Sequence, residues 1–172
     1  MAVKDCIFLF NGMTYKQVDG VAMGSPLGPA MANAFLVYHE GRWLDDCPTD
    51  FKPVLYRRYV DDTFLLFKSE NHVPLFLEYL NGKHANIKFT YEYENNGKLP
   101  FLDVSVERSG SILSTSTYRK STFTGLGMKY SSFIPSYYKT GLIVNLVNRA
   151  YKICSTYDSL DLELKFLTNY FV

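Results

Sequence analysis

The stretch VLYRRYVDDTFLLF, residues 54–67, decides how this chain reads, because it sets two adjacent carboxylates, Asp61 and Asp62, between two apolar, strand-like runs. Neighbouring carboxylates in apolar surroundings repel each other and lose hydration. A hard divalent cation that prefers oxygen ligands, magnesium above all and manganese in its place, relieves both costs. Consecutive residues of a regular strand point to opposite faces, so the pair can address one point only from a turn. The stretch therefore predicts a hairpin of residues 54–59 with 63–67, the aspartates at its tip. A turn with two aspartates is not specific alone, since Asp is common in turns for its own hydrogen bonding.

Upstream, residues 6–10 and 13–17 flank Asn11-Gly12, which readily supplies the positive φ angles of a tight hairpin turn. The segment GVAMGSPLGP, residues 20–29, follows. Its Gly20, Gly24 and Gly28 allow close backbone approach. Ser25-Pro26 predicts the start of a helix over 30–44, whose amide end favours phosphate. Met31, Ala34, Phe35, Tyr38 and Trp43 recur at helical spacing there. Downstream, a short helix is predicted over 74–80, stopped by Asn81-Gly82, then strands over 87–93, 101–107 and 112–118. Beyond Pro135 the period becomes helical, with Leu142, Leu146, Val147 and Ala150 on one face and a second helix over 160–170. The fold class is α+β.

With 172 residues, 47% of them hydrophobic, the chain is long enough for one domain with a real core. The formal net charge of +1 hides an uneven spread: no Asp or Glu lies between Arg108 and Tyr157, where Arg119, Lys120, Lys129, Lys139, Arg149 and Lys152 fall. Tyr118, Phe123, Tyr130, Phe133, Tyr137, Tyr138 and Tyr151 are interleaved with these cations. Cations meet phosphates and aromatic rings stack on bases, so the mixture suits a surface that tracks a nucleic-acid strand; a solvated face with ordinary core aromatics is the alternative. Cys6, Cys47 and Cys154 are too far apart for a Cys-x-x-Cys site, and their odd number argues against a disulfide framework and for a reducing, intracellular setting, while His39, His72 and His84 lack ligand spacing for zinc. The apolar patch near the start is too short for a signal peptide, and no stretch is long enough to span a bilayer.

Taken together, GVAMGSPLGPAMANAFLVYHE (20–40) and YRRYVDDTFLLF (56–67) resemble motifs B and C of reverse transcriptases. With FNGMTYKQVDG (10–20) before them and KLPFLDVSV (98–106) and TYRKSTFTG (117–125) after, the chain is most similar to reverse transcriptases of Penelope-like retroelements. The resemblance runs from about Phe10 to the end and implies an RNA-directed DNA polymerase acting on an RNA template, a DNA primer and a dNTP. It implies a reverse-transcriptase palm, an antiparallel sheet backed by helices, over residues 1–118. Residues 119–172 would be the palm-thumb connection and part of a helical thumb. Asp61 would hold two magnesium ions together with a motif A aspartate, supported by Asp62, in two-metal nucleotidyl transfer. Tyr59 and Val60 would lie near the primer end, Gly24, Ser25 and Pro26 would line the nucleotide and template side, and Arg119 and Lys120 would grip the primer. Asp103 reads as a structural residue of a strand. Arg57 and Arg58, on opposite faces, leave at most one turned toward nucleic acid, the other being an ordinary surface charge. Nuclear action is implied by family analogy alone.

The departure from the family lies at the beginning. A motif A strand is expected several tens of residues before the GSPLGP loop, and upstream Asp5 and Asp19 are the only acidic residues: Asp19 abuts the loop itself, and Asp5 is too near and lacks the flanking pattern. The expectation is a fragment without fingers and motif A, inactive alone, with apolar sheet surface left uncovered. A non-catalytic nucleic-acid-binding remnant and a decayed element copy are the alternatives.

Overall fold

A computed structural model describes residues 6–18, 20–22 and 24–171, so Asp5, Asp19 and the methionine of GVAMGSPLGP, Met23, lie outside the described residues. The chain is α+β, with four helices and three small antiparallel sheets among the described residues, and it divides into two compact units, Met1–Tyr91 and Glu92–Val172.

The first unit opens with β1 (Ile7–Phe10) and β2 (Met13–Lys16), paired through Phe10↔Met13. Asn11 and Gly12 take φ of 49° and 75°, the left-handed pair that a two-residue hairpin turn requires. Both strands expose their apolar side chains, Leu9 by 72%. Helix α1 (Gly28–Asp45) comes next. It begins two residues before the predicted Ala30, and Ser25-Pro26 lies ahead of it: the Gly28 N–H bonds the Ser25 carbonyl and the Ser25 N–H bonds that of Ala22, so these residues form successive turns. Leu27 is the N-cap, and Pro29 rather than Pro26 sits in the first turn, where a missing N–H costs nothing.

The central hairpin, β3 (Leu55–Tyr59) and β4 (Asp62–Leu66), and helix α2 (His72–Asn81) complete this unit. Trp43 and Cys47 from α1 and the following turn meet Phe76 and Leu80 of α2 in a buried cluster. The Tyr79 hydroxyl donates to the Trp43 carbonyl at 2.8 Å, tying the two helices. The predicted strand over 87–93 does not form. Asn81 instead takes both backbone groups of Phe89, its Oδ1 accepting the N–H at 2.7 Å and its Nδ2 donating to the carbonyl at 3.2 Å. One side-chain amide thus does the work of a neighbouring strand, while Ile87 and Phe89 pack on the buried cluster.

In the second unit, β5 (Lys98–Phe101), β6 (Val104–Ser109) and β7 (Ile112–Thr117) form a meander. The strand predicted over 101–107 is split: Phe101 pairs with Val104, so Leu102 and Asp103 are a two-residue turn, with Leu102 at a φ of 57°. Asp103 therefore lies in a turn rather than on a strand. At Asn96-Gly97 a Cβ on residue 97 would stand 2.8 Å from the Arg108 carbonyl oxygen, so only glycine fits. Helices α3 (Ser136–Ile153) and α4 (Tyr157–Phe171) follow. The end of α3 is fixed to β7, where the Thr115 hydroxyl donates to the Ile153 carbonyl at 2.5 Å and the Thr115 N–H to Ser155 Oγ at 2.7 Å. Thr156 Oγ1 accepts the Ser159 N–H at 3.2 Å and caps α4.

Candidate functional site

The register of the central hairpin ends at Tyr59↔Asp62, which leaves Val60 and Asp61 as the turn and makes Asp62 the first residue of β4. The alternation constraint is thereby lifted, and both carboxylates are exposed at the tip. Tyr59 and Val60 are 60% and 58% exposed. Val60 has a φ of 55°. A β-branched residue in the left-handed region is a steric outlier, and such strain persists only where surrounding contacts hold it.

Those contacts come from Arg58. Its Nη1 donates to the Val60 carbonyl at 2.9 Å, its Nε to Glu40 Oε2 at 2.7 Å and its Nη2 to Asn33 Oδ1 at 3.0 Å. The second Glu40 oxygen accepts the Tyr56 hydroxyl at 2.6 Å. Burial, reinforced by that hydrogen bond and by the Glu40 charge, pushes the Tyr56 phenol above its ordinary range. Arg57, one residue earlier and on the other face, is the outward one, its Nη1 reaching only the Tyr56 carbonyl at 3.0 Å. Sequence reasoning missed Glu40 and Asn33. The available signal was their spacing, about two helical turns apart on one face of α1.

Gly24, Ser25 and Pro26 lie in the turns that lead into α1, with Gly24 at a φ of 88°. The helix that this loop enters is the one that carries Asn33 and Glu40. Oxygen donors at Asp61 and Asp62 suit a hard cation such as Mg2+, which is usually held by one or two carboxylates and completed by water or phosphate oxygens. Among the described residues, no group of three or more His, Cys, Asp or Glu converges to hold a metal.

In the second unit, Arg119 and Lys120 differ sharply. The Arg119 guanidinium grips Glu163 of α4 with both nitrogens of its fork, Nη1 to Oε2 at 2.8 Å, and lies 3.6 Å from the Phe166 ring centroid. Lys120 is exposed. Arg149 pairs with Asp103 at 3.0 Å, an exposed ion pair between the Leu102-Asp103 turn and α3. These groups border a cavity of about 340 Å3 whose other walls include Phe123, Phe166 and Tyr170. Along α3, Tyr137, Tyr138, Tyr151 and Lys152 are exposed and no acid occurs, whereas α4 exposes Asp158 and Asp161, the latter paired with Lys165 at 2.6 Å.

Helices α3 and α4, joined by the short turn Cys154–Thr156, have the order of a helix-turn-helix. Residues 128–172 match the family described as the animal helix-turn-helix domain. No curated protein and no solved structure matches the chain. Among the described residues, no helix is long and apolar enough to cross a membrane.

Proposed function

We propose that this chain is the palm and the beginning of the thumb of an RNA-directed DNA polymerase of the Penelope-like type. The observation that carries the reading is the hairpin tip: Tyr59-Val60-Asp61-Asp62 falls at a strained two-residue turn, both carboxylates exposed and the turn carbonyl held by the half-buried Arg58. Asp61 and Asp62 would hold Mg2+ or Mn2+, which when bound neutralises charge on the triphosphate and favours deprotonation of the primer 3′-hydroxyl. Tyr59 and Val60 would face the primer end, and Gly24, Ser25 and Pro26 the nucleotide and template. Asp61 would need a further carboxylate beside it, from a motif A strand, to complete a two-ion centre, so template-directed extension needs that carboxylate supplied to this tip.

The test is primer extension on an RNA template with Mg2+ or Mn2+. It compares this chain, its Asp61→Ala variant and a longer polypeptide that adds an acidic upstream strand. Extension by the longer polypeptide, lost by orders of magnitude on Asp61→Ala, is the expected result. Extension that is indifferent to Asp61 would refute it.

A second reading is favoured by the helix-turn-helix match and by the acid-free, aromatic surface of α3: the second unit binds nucleic acid without chemistry. Lys120, Lys152 and the exposed tyrosines would carry that contact, with Arg119 holding α4 in place. It predicts salt-sensitive binding that survives Asp61→Ala and weakens on Lys120→Ala.

A further inference from the structure

We propose that Arg58 is a positioning residue that sets the direction of the Asp61 carboxylate by locking the hairpin tip to α1; the role rests on the metal-binding reading of that tip. One guanidinium makes three hydrogen bonds of 2.7 to 3.0 Å to three different partners, Glu40, Val60 and Asn33. Two partners belong to α1 and the third is the carbonyl that immediately precedes the Asp61 amide. The plane of that peptide fixes where the Asp61 backbone, and hence its carboxylate, starts.

Burial separates this arrangement from an ordinary surface ion pair. The side chains of Arg58 and Glu40 are only 9% and 10% exposed, so neither is free to exchange its partner for water. Glu40 is itself held at its other oxygen by Tyr56, a residue of β3 on the same face as Arg58. The network therefore joins helix, strand and turn, each contributing a group, and it engages both Glu40 oxygens and all three Arg58 nitrogens. Val60 keeps a left-handed φ despite its branched side chain, the kind of conformation that survives where it is over-determined. Lysine cannot replace the fork. A point ammonium on a flexible stem cannot span Asn33 and Glu40, which lie about 10 Å apart along the helix, and still reach the turn. The consequence is a mechanical link. Arg58 joins the carboxylate tip to α1, the helix that the turns of residues 24–27 lead into.

The experiment uses the isotope-labelled chain and follows the Val60, Asp61 and Asp62 amides by NMR during Mn2+ titration, at a temperature where circular dichroism shows each variant folded. In the parent chain, saturable broadening confined to the tip and lost on Asp61→Ala is expected. Arg58→Lys should weaken Mn2+ binding roughly tenfold, the lower range for loss of a group that orients a metal ligand, and should change the Val60 backbone coupling constant that reports φ. Asn33→Ala, which removes one exposed contact, should move the same signals by less and serves if Arg58→Lys does not fold. Leu80→Val, a core change remote from the tip, should lower the melting temperature and leave Mn2+ affinity untouched. Parent-like Mn2+ affinity and Val60 coupling in folded Arg58→Lys would overturn the proposal. If the parent chain shows no tip broadening, the metal reading fails instead, and the Val60 coupling alone then decides whether Arg58 holds the turn.

Discussion

Replacing Arg119 with alanine separates a structural arginine from a nucleic-acid contact. Glu163 is 9% exposed at its side chain and Arg119 26%, so the substitution strands a carboxylate in a largely dry site. Removing one partner of a buried pair costs about 3–5 kcal/mol, and the partial exposure of Arg119 places this case near the lower figure, about 3 kcal/mol. Loss of the guanidinium from the Phe166 face, 3.6 Å from its centroid, removes roughly 0.5–1 kcal/mol more. A loss of about 3–4 kcal/mol is a large part of the roughly 5–15 kcal/mol that holds a typical domain. Urea unfolding followed by helical circular dichroism reports it, because α3 and α4 supply much of the helix. The paired replacement Arg119→Met with Glu163→Leu should recover most of the loss, since an apolar pair of similar volume carries no desolvation cost. The reasoning is refuted if Arg119→Ala leaves the urea midpoint in place yet weakens primer-template binding as strongly as Lys120→Ala does.

Three further outcomes are expected. Val60→Gly should raise urea stability by about 0.5–1 kcal/mol, because relief of the left-handed strain, about 1–2 kcal/mol, exceeds the entropy cost of glycine in an exposed turn; a lowered midpoint would show that Val60 is not strained. Lys120→Ala should leave stability unchanged and reduce the slope of log affinity against log salt by about 0.7–0.9, the loss of one phosphate contact. An unchanged slope removes Lys120 from the interface. Burial raises the Cys47 thiol, against the opposing charges of Lys52 and Lys83, so the folded state favours the neutral form. The stability this gives is complete below the usual thiol range of about 8.5 and is lost as pH rises through the raised value. Alkylation should accordingly be slow at Cys47 and fast at Cys6 and Cys154, and equal rates at all three would contradict its burial.

The hairpin tip was legible because its signals are local: apolar alternation on each side, and a pair of turn-forming acids between. The Asn11-Gly12 turn and the helical periods of α1, α3 and α4 were legible for the same reason. The misplaced elements depend on partners distant in sequence or on a turn with a weak signal. Leu102-Asp103 offers one turn-forming residue, Asp103, but no Gly or Asn at the left-handed position, which the strand register at Phe101↔Val104 gives to Leu102. Residues 87–93 have a strand's composition, yet the Asn81 amide satisfies Phe89 and no strand is needed. At the site, Arg58 read as one of two alternating arginines, and its bond to Glu40 crosses a loop and a strand. Arg119 read as a basic residue in an acid-free span because its acid lies beyond that span, on α4.

The two readings of function are not equally economical with the structure. A nucleic-acid-binding helix pair explains the exposed tyrosines and Lys152 of α3, but the second helix of such a pair is the one that enters the groove, and here α4 exposes Asp158 and Asp161. Those acids would approach phosphates unfavourably, so the basic contact has to come from α3 and Lys120, an arrangement nearer to a surface that cradles a strand than to a helix that reads bases. Nor does that reading use the first unit, where Val60 is strained and Arg58, paired with the buried Glu40, holds the turn of an exposed Asp61-Asp62 tip. A domain that only binds nucleic acid has no use for two exposed carboxylates on a braced turn, since they repel the ligand. A cation reverses the sign of that interaction. Under the polymerase reading that cation would be the one the triphosphate meets, and the exposed carboxylates of the first unit have a use.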